Sequence, residues 1–167
     1  MHSKQEIINI IVPFLEEIGI NTVFTTIDNN CFLPGISIFK NSILIDTEKL
    51  EYPGDILHEA GHIAVTPTEQ RSLIGTSEID ANWPTDGEEI AAILWSYAAT
   101  IKLNISPEIV FHENGYKNQS RWLIHEFENK NYIGLPLLDW MGLCVSTEVN
   151  IDNLTIPPFP HMIKWLR

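Results

Sequence analysis

The sequence predicts a small α+β domain with a short, mostly antiparallel sheet, and three observations predict it. Runs of β-branched residues bounded by turn residues lie early in the chain, after an amphipathic stretch at the N-terminus. From Pro53 onward the apolar spacing becomes helical, punctuated by proline and glycine. A chain of 167 residues, 44% hydrophobic and 19% charged, can bury one core without disulfides. It contains no repeat and no linker-like stretch, so a single domain over residues 1–167 is the simplest organisation.

The elements follow in order. In "MHSKQEIINIIVPFLEEIGI" the residues Ile7, Ile10, Ile11, Phe14, Leu15 and Ile18 keep the i, i+3, i+4, i+7 spacing of a core-facing helix, which Gly19 ends. Glu6 and Glu16–Glu17 flank this short apolar run, and no small-residue cleavage site follows it, so it is not read as a signal peptide. Residues 21–27 read as a strand, "DNNCFLPG" as turn chemistry, and residues 36–47 as a β-hairpin about Lys40–Asn41. A helix is expected from near Pro53, with Asp55 in its first turn, up to Thr66, because Pro67 disfavours helix in the residue before it. Residues 66–85 have no sustained period and should be an irregular connection.

From about Asp86, "GEEIAAILWSYAATIKL" is apolar nearly all round and should be a buried helix. Ser106 caps a short helix that Pro107 begins, and "NQSRWLIHEFENK", with Trp122, His125 and Phe127, is a further amphipathic helix. The last third carries Pro136, Pro157, Pro158 and Pro160 and should be loops closed by a short terminal helix, "HMIKWLR".

Charge excludes some partners. A formal net charge of -12 repels nucleic acid and anionic membrane, and no stretch approaches the roughly 20 apolar residues of a membrane span. Cys31 and Cys144 lie far apart in no metal-binding spacing, which suits two buried reduced thiols in a cytoplasmic protein.

The chemistry concentrates in "GDILHEAGHIAV". On a helix, His58 and His62 at i and i+4 share one face and can offer two imidazole nitrogens to one Zn²⁺. Glu59 lies about 100° round the helix, able to reach a water on the metal and act as general base. By chance the three fixed positions recur in roughly one chain in two hundred of this length, so their place on a predicted helix with the apolar stripe Ile56, Ala60, Ile63 and Ala64 carries weight.

A catalytic zinc has three protein ligands. Val65 and Thr68 occupy the glycine and third-histidine positions of the extended HExxHxxGxxH form, so the third ligand lies elsewhere. Thr85 and Glu88 have the spacing of a capping box, which commits Glu88 to the helix start and leaves Glu89 as the first candidate and Glu88 as the second. The face of Glu89 carries Ala92, Ile93 and Ser96, small enough in part to admit a neighbouring helix. A donor for a developing oxyanion is sought in "FHENGYKNQSR", where His112, Tyr116 and Arg121 are close in sequence and Tyr116 and His112 are the candidates. Trp83 suits either a cleft wall or a packing anchor.

His58-Glu59-x-x-His62 followed by a glutamate on the next long helix resembles the gluzincin pattern of the zincin metallopeptidases. Over roughly residues 36–103 the layout is similar to a minimal, single-domain bacterial zincin related to the IrrE and ImmA regulatory peptidases. The resemblance implies a zincin-like fold and a zinc-dependent peptidase. In it, His58, His62 and Glu89 hold Zn²⁺, and a zinc-bound water activated by Glu59 attacks a peptide or protein substrate. Ile93 stands where the thermolysin type has aspartate. Asp139 would be the distant ligand of the membrane-anchored AAA pattern, and Glu78 in "GTSEID" stands where the aspzincin pattern has its aspartate; both rank below Glu89. The alternative function is a catalytically idle zinc-binding domain in regulation or protein interaction.

Overall fold

The computed structural model describes residues 2–28, 33–152 and 154–167. The fold is α+β, as expected. Helix α1 (Lys4–Glu17) opens with a capping box in which Ser3 and Glu6 satisfy each other's backbone donors. It buries Ile7, Ile8, Ile11, Phe14 and Leu15, and Gly19 ends it at φ +90°.

Strands β1 (Asn21–Phe24), β2 (Ile36–Phe39) and β3 (Ser42–Ile45) form a sheet in the order β1-β3-β2. The hairpin β2–β3 is antiparallel, with Ile38 opposite Ile43 and Lys40 at φ +56° in the turn. β1 ends three residues earlier than its β-branched sequence suggests and pairs with β3 in parallel, Asn21 opposite Ser42. The expected mostly antiparallel sheet therefore has one parallel pairing.

Helix α2 (Asp55–Val65) carries the histidines and stops where Pro67 requires. Its N-terminus has no side-chain cap; Gly54 sits so close to the backbone of Ile109 that an added Cβ would lie 1.9 Å from the carbonyl oxygen. The connection after it contains one short helix, α3 (Thr68–Arg71). Helix α4 (Asp86–Leu103) starts with the Thr85–Glu88 capping box and ends at Asn104 in the left-handed region.

The packing of α2 on α4 centres the core. A Cβ on Gly61 would stand 2.9 Å from the Ala92 carbonyl oxygen, so glycine on one helix and alanine on the other let the backbones approach. Ser96 donates to Ala92 O at 2.7 Å and lies 3.3 Å from Leu57 O, joining the two helices through a buried hydroxyl. Trp95, fully buried, stands edge-on to Trp165.

The C-terminal part differs from the expected loops closed by a terminal helix: a helix forms at Leu135–Trp140, where loops were expected, and none at the end. Ser106 caps a single 3-10 turn, Pro107–Ile109, followed by α5 (Ser120–Glu128) and α6 (Leu135–Trp140). Strands β4 (Val149–Ile151) and β5 (Leu154–Ile156) then make an antiparallel ribbon that the sequence reading missed. "HMIKWLR" is not a helix. Its backbone is spent on other segments: Ile163 N donates to Leu143 O, and Arg167 N donates to Ala64 O at the end of α2. Trp165 packs edge-on against Phe14, and its carbonyl accepts from Trp95 Nε1. Seven residues make too short a helix to hold on propensity alone, so these tertiary bonds prevail.

Cys144 is buried and free among the described residues, and Cys31 lies outside them. No helix among the described residues is long and apolar enough to cross a membrane.

Candidate metal centre

His58 and His62 project from α2 and Glu89 from the first turn of α4, and the close helix packing brings the three together. His58 Nε2 and His62 Nε2 are 3.2 Å apart. Glu89 Oε1 lies 3.5 Å from the first, and Oε2 lies 3.3 Å from the second. Four ligands at zinc–nitrogen bond lengths of about 2.0–2.1 Å define a tetrahedron whose edges are about 3.3 Å. The nitrogen–nitrogen separation is close to that edge, and each carboxylate oxygen stands near one of the two nitrogens, so the two imidazoles and the carboxylate converge closely enough to hold a zinc ion. They are also the His, Asp, Glu or Cys group that converges closely enough for a metal among the described residues.

The electrostatics agree with the geometry. Burial drives His58 down to about 4, and burial together with His58 drives His62 down to about 3. Both imidazoles are therefore neutral near pH 7, as metal ligation needs. The Nδ1 atoms of both rings are buried with no hydrogen-bond partner among the described residues. Burial also raises Glu89, with Lys117 opposing it. Two neutral imidazole nitrogens and a carboxylate converging on one place are the donor set that a zinc ion takes.

Glu59, next to His58, is pushed up to about 8 by burial and by the charges of Asp55 and Glu89. A cation held by His58, His62 and Glu89 would counter the charges but not the burial. Tyr116 stands edge-on to His58 with ring centroids 5.5 Å apart. Its hydroxyl is buried without a partner among the described residues, and burial raises it well above its ordinary value, so it stays a proton donor. Tyr116, Lys117 and Asn118 have φ of 52°, 52° and 65°, three successive non-glycine residues in the left-handed region.

His112 also reaches the cleft, stacked at 3.8 Å on Tyr52 with the rings 6° from parallel. Its Nε2 lies 3.0 Å from Asp55 Oδ1, a partner that sequence reasoning missed because the two are 57 positions apart. Arg121 is on the surface, paired with Glu113, outside the cleft lining. Glu88 is held in its capping box, accepting from Thr85 N at 2.9 Å. Asp139 accepts from Ser146 N at 2.9 Å, and neither it nor Glu78 belongs to the cluster. Trp83 serves both expected ends: it lines the cleft 6.0 Å from His62 and anchors its indole on Thr66 Oγ1 at 3.0 Å.

The cluster opens into a cleft of about 890 Å³ whose walls include Leu33, Ile38, Tyr52, Trp83 and Tyr116. No family model, curated protein or solved structure matches this chain, so its function is argued from the site itself.

Proposed function

We propose that the protein is a zinc-dependent peptidase of zincin type. The observation that carries this reading is the convergence of His58 Nε2, His62 Nε2 and the Glu89 carboxylate, with Glu59 beside it and a cleft large enough for a peptide in front. A zinc ion held there would supply Lewis acidity, acidifying a water and polarising a carbonyl.

The chain's own groups do the rest. Glu59 takes the proton of the water that adds to the scissile carbonyl carbon and delivers it to the amine as the C–N bond breaks. Tyr116 O–H donates to the oxyanion of the tetrahedral intermediate, a role favoured by its unpartnered hydroxyl. His112 stands in the same cleft, where its contact with Asp55 orients that side of the site.

Two measurements test the reading. Protein purified without added zinc should hold about one equivalent of metal. Glu59→Gln should keep that metal and lose at least 100-fold in peptide hydrolysis. Metal with no Glu59-dependent cleavage of any peptide would favour an idle zinc-binding domain, and absence of metal would remove both.

A further inference from the structure

A second cavity of about 290 Å³ adjoins the first and shares Glu89, Tyr116 and Lys117 with it. Its walls are Ile90, Ile93, Trp122, Leu123, Phe127 and Ile133. The helix turn that aims Glu89 at the histidines thus aims Ile90 and Ile93 into this cavity. α5 supplies the opposite wall, with Leu123 and Phe127 buried at its base.

The rim is unusual for a surface. Trp122 is 48% exposed, Ile133 40% and Ile90 37%. Scattered exposed apolar residues need no explanation, but three large ones gathered on one concavity mark a binding surface. The volume restricts the occupant: whole small-molecule sites run about 300–1,000 Å³, so this space suits one bulky side chain.

Building on the peptidase reading, we infer that this cavity is a specificity subsite. It accepts one large aliphatic or aromatic side chain of the substrate, leucine- to phenylalanine-sized, from a residue flanking the bond cleaved at Glu59. The charges at the shared edge, Glu89 and Lys117, are opposite in sign and act on each other, and the rest of the wall is apolar apart from Gln119, so a charged side chain would lose its hydration for little return.

Two experiments decide it, one independent of catalysis. In ¹H–¹⁵N spectra of the protein with and without zinc, N-acetylphenylalanine amide should shift the Trp122 indole resonance, and N-acetylglutamate amide should not. An unmoved Trp122 resonance overturns the subsite whether or not the protein is a peptidase. In the second, a panel of quenched peptides varied at one position should be cleaved beside Leu, Phe or Met at least tenfold faster than beside Ala or Glu. Trp122→Ala should erase that preference while metal content stays the same. Glu59-dependent cleavage indifferent to the apolar residue would overturn the subsite and leave the peptidase reading standing. Absence of metal and of cleavage would remove the peptidase, and the indole experiment then decides whether the cavity binds apolar side chains.

Discussion

Glu88 and Glu89 are neighbours with separate fates. Glu88 turns back to Thr85, and Glu89 turns across to the histidines of α2. Glu89→Ala should therefore weaken zinc binding at least 100-fold in a chelator competition, exceeding the loss typical of groups that merely support a ligand. Glu88→Ala should leave metal content unchanged and cost about 1 kcal/mol of stability in urea unfolding. This division was legible in the sequence because a capping box spans only four residues. The Asp55–His112 contact was not, since nothing local announces a partner on another segment. Cys144 makes a separate residue-level prediction. Burial and the charge of Asp139 push its thiol from 9.0 to about 12, leaving about a thousandfold less thiolate near neutral pH. Iodoacetamide mapping should find it unlabelled in the native protein at pH 8 and labelled after denaturation.

Between elements, the approach of α2 to α4 sets the spacing of His58, His62 and Glu89. Gly61→Ala gains roughly 1 kcal/mol of helix propensity. The added Cβ, however, meets a backbone oxygen that cannot swing aside, and overpacking of this kind costs about 1–3 kcal/mol. The net effect should be a lower urea midpoint together with weaker metal retention, because the helices must part. Gly54→Ala should be worse, since its Cβ would overlap Ile109. Elements with local signals were legible: the amphipathic period of α1, the hairpin turn at Lys40, and Pro67 ending α2. Pairing direction was not, because β-branched composition does not distinguish the parallel β1–β3 ladder from an antiparallel one. The same limit applies at the C-terminus, where Met162, Trp165 and Leu166 keep a helical spacing yet pack as an irregular, bent segment against several partners.

At the scale of the molecule, that C-terminal segment ties α1, α2 and α4 together through Trp165 and Arg167. Trp165→Ala should lower stability by about 2–3 kcal/mol, somewhat less than for a fully buried tryptophan, and appear as a reduced urea midpoint at unchanged slope. The rest of the fold bears on one loop. Three consecutive left-handed residues hold Tyr116 beside the histidines, and each non-glycine residue there gives up about 1–2 kcal/mol. Lys117→Gly should then raise the melting temperature, by the equivalent of about 1 kcal/mol, while slowing hydrolysis as the tyrosine loses its fixed position. Robustness and turnover would move in opposite directions in one variant. On the peptidase reading, the loop is a loaded spring, in which the fold surrenders part of its own stability to keep one tyrosine beside the histidines.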